Sequence, residues 1–123
     1  MCVYVGVRVT GHPSCLVYVI EAPICRSLPM RQDVRNHSPE GPEWGYCGSG
    51  PAQLALALLC DVTGDDTAAE LLTHRFKFDI VSSLPKHGWL LTAELIEAWI
   101  IDRIGRCPEV VKDEEVIELG DMP

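Results

Sequence analysis

Valines at positions 3, 5, 7 and 9 alternate with Tyr4, Gly6, Arg8 and Thr10, the two-residue period of a strand with one buried face. The turn cluster Gly11-His12-Pro13-Ser14 separates it from a β-branched and aromatic run at 16–20, so the pair predicts a hairpin. Between 22 and 50 stand prolines at 23, 29, 39 and 42 and glycines at 41, 45, 48 and 50. These exclude long regular elements and leave room for short strands at 24–28 and 33–36. Pro51 opens a helix over 52–59 whose residues are strong helix formers and apolar almost all round, which predicts a central, buried position. Gly64-Asp65-Asp66 ends it, and Thr67 with Glu70 three residues on reads as the capping box of a second helix reaching about Leu84. Leu72, Phe76 and Ile80 form its core stripe. Pro85-Lys86-His87-Gly88 stops that helix and 89–91 bridges in extended form. Thr92 then caps a third helix that carries Leu95, Ile96, Trp99 and Ile100 on one face and stops at Gly105. The expected fold class is α+β, an N-terminal antiparallel hairpin or small sheet packed against about three helices. The expected organisation is one domain over 1–108 and an acidic tail over 109–123.

Composition narrows the function. The chain has 123 residues, 47% of them apolar and 23% charged, enough for one core without staples. Eighteen acids against ten bases give a formal charge of -8, which argues against a duplex-DNA binder, since displacing counterions needs a basic face. The charge is uneven. Residues 109–123 hold six acids and only Lys112 among bases, whereas 1–39 hold Arg8, Arg26, Arg31 and Arg35 against Glu21 and Asp33. The six cysteines, at 2, 15, 25, 47, 60 and 107, include no Cys-x-x-Cys pair and read as reduced, packed thiols and not as zinc ligands. No basic n-region precedes the apolar N-terminus, and no window reaches about 18 uninterrupted apolar residues, so a cytoplasmic protein without membrane contact, metal or cofactor is expected.

The densest chemistry lies in 36–51, from Asn36-His37-Ser38-Pro39 through Glu43-Trp44-Gly45-Tyr46-Cys47 to Gly48-Ser49-Gly50-Pro51. A glycine-rich turn that enters a helix presents free N–H groups and the positive end of the helix dipole, which suits a phosphate or carboxylate. Trp44 and Tyr46 beside it offer rings for stacking on a base, and Arg31 and Arg35 offer charge, with Arg26 as a further candidate. The phosphate fingerprints Gly-x-x-x-x-Gly-Lys-Ser/Thr and Gly-x-Gly-x-x-Gly are both missing. A hydrolase would set Ser49 or Cys47 against His37, with Glu43 or Asp33 as the orienting group; Cys47 and Pro51 stand where a nucleophile elbow needs glycines.

The string NHSPEGPEWGYCGSGPAQLALALL at 36–59 resembles a family of small uncharacterised proteins from bacteria, archaea, phages and mobile elements, known only as a domain of unknown function. The likeness extends to Tyr4-x-Gly6-x-Arg8, to Phe76-Lys77-Phe78 with Leu84-Pro85, and to Trp89-x-Leu91-Thr92 followed by Trp99. This chain departs from the pattern at Cys47, where glycine is usual, and at Pro42, where an aromatic residue is common. The resemblance implies a fold type and a mobile-element setting, and brings no activity with it.

The leading expectation is therefore a non-enzymatic binding protein. Arg31, Arg35, His37, Trp44, Tyr46, Gly48, Ser49 and Gly50 would hold an anionic, nucleotide-like ligand, and in a mobile-element setting such a protein would sequester a defence signal. The alternatives are an interaction or inhibitor protein whose acidic surface meets a basic host protein, and a small hydrolase built on Ser49 or Cys47 with His37.

Overall fold

The computed structural model describes residues 1–9 and 15–105. The turn at 11–14, Cys107 and the acidic segment 109–123, on which the inhibitor expectation rests, lie outside the described residues. The architecture is α+β, with a four-stranded antiparallel sheet and three helices. β1 (Val3–Arg8), β2 (Cys15–Glu21) and β3 (Ile24–Ser27) form a meander, and β4 (Gly88–Thr92) joins at the far side of β1, giving the order β3-β2-β1-β4. Between them run α1 (Ser49–Thr63), α2 (Asp66–Asp79) and a single 3₁₀ turn at Val81–Ser83; α3 (Ala93–Gly105) follows β4 directly. The chain divides into two compact units, Met1–Ala93 and a second beginning at Glu94. Within α3, Ile96 is buried, Trp99 and Ile100 are half-buried, and Leu95, expected on the same face, is exposed.

The alternation in β1 has the expected period, and the inward face is the one that carries Tyr4, Gly6 and Arg8 and not the valines. Tyr4 and Gly6 are buried, while Val7 is exposed and Val3 and Val5 are half-buried. Period two says only that two faces differ; partners elsewhere decide which one turns inward. Tyr4 Oη donates to Asp61 Oδ2 of α1 at 2.6 Å. The Trp89 indole of β4 lies so close to Gly6 that a Cβ there would fall 2.3 Å from its ring atoms. Arg8 reaches the carboxylate of Glu43. Val17 and Val19 of β2 and Leu91 of β4 complete the inner face. The outer face carries Val3, Val5 and Val7 opposite Ile20, Tyr18 and Leu16 on one side, and opposite Thr92, Leu90 and Gly88 on the other.

α1 is the buried centre that its composition predicts: every residue from Gly50 to Cys60 is buried, and Gly64 ends the helix at φ 67° in the left-handed conformation that costs glycine little. The exception to its apolar character is Gln53, fully buried and fully satisfied. Its Oε1 accepts from the backbone N–H of His37 at 2.7 Å and of Ser38 at 3.0 Å, and its Nε2 donates to Met30 O at 2.7 Å and Arg35 O at 3.1 Å. One side chain thus fastens residues 30–38 to the central helix. Residues 33–36, expected as a strand, sit in that pinned turn, whereas 24–27 do form one.

α2 starts one residue earlier than the capping-box reading implies. Its cap is Asp65, whose carboxylate accepts from Ala68 N at 3.1 Å, and Thr67 lies inside the helix. It also stops at Asp79, short of Leu84, where the chain tightens into the 3₁₀ turn. Its buried residues are Ala69, Thr73 and Phe76, with Leu72 and Ile80 at the margin of the expected stripe.

Two measurements test this framework. Replacing Gln53 with leucine strands four backbone groups, each costing about 1–3 kcal/mol when left unpaired and part of that returning as the loop loosens into water. A net loss of about 3 kcal/mol and a Tm lower by roughly 15 °C are expected in thermal unfolding. Gly6→Ala drives the Trp89 indole from its slot, an overpacking cost of about 2 kcal/mol. Tryptophan fluorescence should shift to the red as Tm falls.

Candidate functional site

The glycine-rich turn opens on a cleft of about 470 Å³ lined by Cys15, Leu16, Ser38, Glu40, Gly41, Pro42, Glu43, Tyr46, Ser49 and Gly50. The turn holds its shape for local reasons. Gly45 adopts φ 86° and donates its N–H to Val81 O at 3.1 Å. Gly48, the N-cap of α1, leaves space that the Tyr46 ring fills: a Cβ there would lie 2.6 Å from Tyr46 Cε2. No side chain caps α1. Pro51 has no N–H, and Ala52 N is satisfied by Gly48 O at 3.1 Å. Among the described residues the N–H groups of Ser49 and Gly50 meet no acceptor, so two of the orphan donors of the helix start belong to residues that line the cleft.

The opposite wall is acidic and braced. Glu43 receives Arg8 in fork geometry, Nη2 to Oε1 at 2.9 Å and Nη1 to Oε2 at 3.1 Å, with both side chains about 30% exposed. Arg8 also donates from Nε to Lys86 O at 2.8 Å and lies 4.9 Å from the Trp44 ring centroid. The Arg8 guanidinium holds the Glu43 carboxyl below its ordinary value, against the opposing effect of burial. The Cys15 thiol donates to Glu43 Oε2 at 3.3 Å, and burial together with that carboxylate pushes it up to about 11. At neutral pH this sulfur is a protonated thiol and no nucleophile. Glu40, exposed on the rim, adds a second carboxylate.

Of the eight residues expected to bind ligand, Tyr46, Ser49 and Gly50 line the cleft, and Gly48 caps the helix beside them. The others have different duties. Trp44 is fully buried, edge-on to Trp89 at 5.6 Å and donating from Nε1 to Lys86 O at 3.2 Å, so no base can stack on it. Arg31 grips Asp33 and Asp66, and Arg35 pairs with Glu70, which fixes the loop to α2 away from the turn. His37 packs its ring edge-on against His74 at 5.5 Å. No hydrogen bond among the described residues joins His37 to Ser49 or Cys47. Among the described residues no group of three or more His, Cys, Asp or Glu is placed to hold a metal, and no helix is long and apolar enough to cross a membrane.

Sequence reasoning missed Arg8, Cys15 and Gln53 as organising residues. For Arg8 the signal was a lone charge at an inward position of an otherwise apolar strand, which requires an acid from elsewhere in the chain. Gln53 gave the same kind of signal, a single amide inside an apolar helix.

Together the sheet, the buried helix and the braced turn define a small α+β module that presents a cleft at a helix start. The chain belongs to the family of unknown function DUF6166, which it matches over residues 4–102. No curated protein and no solved structure matches it.

One pH dependence follows from the loop. Burial, then His74 and Arg35 nearby, lower the His37 imidazole below its ordinary 6.5. The unfolded chain therefore takes up a proton that the folded chain resists, so this contribution to stability is complete above about 6.5 and is lost as pH falls. Denaturant unfolding between pH 7 and pH 5 should show falling stability, and a His37→Gln variant should show a shallower fall.

Proposed function

We propose that this protein is a non-enzymatic binding module that holds a small ligand in the cleft at the start of α1. The observation that supports this reading is the pair of uncapped N–H groups at Ser49 and Gly50 beside a cleft of about 470 Å³. The same walls restrict the ligand. With Trp44, Arg31 and Arg35 engaged elsewhere, the cleft keeps only the Tyr46 ring of the expected stacking pair and neither arginine for a chain of phosphates, and Glu40 repels multiple negative charge. A zwitterion fits better: one carboxylate or phosphate monoester on the helix N–H groups, and an ammonium toward Glu40, with the Tyr46 and Ser49 hydroxyls between them. The Cys15 thiol in the cleft is held protonated, which favours holding the ligand over attacking it.

Isothermal titration with amino acids and phosphoethanolamine, set against mono-, di- and cyclic nucleotides, tests this. Saturable heat from a zwitterion with a dissociation constant on the order of 100 μM is expected, and weaker or no heat from nucleotides. Ser49→Asp lays a carboxylate over the same N–H groups. It should raise stability by about 0.5 kcal/mol through the helix dipole and weaken binding at least tenfold. Silence from every ligand at millimolar concentration, or unchanged affinity in Ser49→Asp, would refute the reading.

A further inference from the structure

The outer face of the sheet departs from what an open antiparallel face normally shows. Such a face carries polar residues where it meets water, yet the outward positions of the four strands hold no charged residue, in a chain with 23% charged residues. Val7, Leu16, Ile20 and Leu90 on this face are 40%, 40%, 37% and 63% exposed, and Tyr18 stands half-buried at its centre. Leu16 lies directly across from Val7, and Ile20 and Leu90 extend the patch along β2 and onto β4, so these side chains form one surface.

We propose that this face packs against the same face of a second copy of the chain, forming a two-fold β-sandwich dimer. Its size supports the occupant. Four strands about 4.8 Å apart and about six residues long cover roughly 19 by 20 Å, or about 380 Å² in projection. That is as much apolar patch as a stable monomer ordinarily leaves open. Pairing two such faces removes on the order of 800–1,000 Å² from water, below the roughly 1,200 Å² at which stable interfaces begin, so the dimer is weak, reversible and concentration-dependent. Its chemistry points to a second copy as well. A foreign acidic or basic partner would be selected by charge, and the face offers none. An isologous contact needs only a surface that complements itself, and two sheets with the same twist nest about 10 Å apart with their side chains interleaved. The charged strand residues Arg8, Glu21 and Arg26 lie off this face, and two chains that each carry a net charge of -8 repel one another, so added salt tightens the dimer.

Sedimentation velocity on the full chain, from low micromolar to several hundred micromolar protein, tests the proposal. The expected result is a shift from the 13.6 kDa monomer to a species of twice that mass, with the midpoint moving at least twofold lower when salt is raised. Ile20→Lys with Leu90→Lys should stay monomeric at every concentration while keeping the circular dichroism spectrum and Tm of the parent. A parent chain that remains monomeric throughout, or a lysine pair that still dimerises, overturns the proposal. Titrating this variant, whose two substitutions lie outside the cleft lining, with the ligands above separates this outcome from that of the cleft.

Discussion

The Gln53 amide is the constraint on which the arrangement depends. A helix buried on every side leaves little room for polar groups, and a proline-rich segment of nearly thirty residues must lie against it with few regular hydrogen bonds of its own. Gln53 reconciles the two by offering its acceptor to two N–H groups and its two donors to two carbonyls. Because all four partners belong to residues 30–38, the amide sets the path by which the chain reaches the turn at 45–50. The arginines of that segment then reinforce the path from outside, Arg31 through Asp66 and Arg35 through Glu70.

A second cluster explains why separated stretches of the sequence belong together. Gly6 and Arg8 of β1, Glu43 and Trp44 of the loop, and Trp89 of β4 meet in one place, with the guanidinium over one indole and the other indole over the glycine. The strings that carry the resemblance, Tyr4-x-Gly6-x-Arg8, Glu-Trp-Gly-Tyr and Trp89-x-Leu91, are in large part the parts of this lock. In this structure these residues pack against one another. What remains available to a ligand is the rim of the lock, where Tyr46, Ser49 and the start of α1 reach solvent.

The fold was legible where local chemistry decides it. The hairpin strands, the buried helix, its stop at Gly64 and the short strand near 24 all follow from period, composition and glycine placement. Long-range choices were not legible. The inward face of β1 depends on Asp61, Glu43 and Trp89, which no local window contains, and 89–91 became a full strand only because β1 has a free edge to pair with. The candidate site was half legible for the same reason. The turn could be located from its glycines, but whether an arginine faces a ligand or an aspartate depends on where acids fall in space, and Asp33, Asp66 and Glu70 had the prior claim.

The position of β4 also has a consequence for how the molecule comes into being. The strand that completes the sheet pairs Thr92 with Val3 and Leu90 with Val5, so the first of these four strands to be synthesised needs a neighbour made more than eighty residues later. At about 5–20 residues per second, β1 waits roughly 4–17 s for that neighbour. The β1–β2–β3 meander can form in the interval, but its inner face lacks Trp89 and the slot over Gly6 stands open. The last strand delivered is thus the one that closes both the sheet and the tryptophan pair.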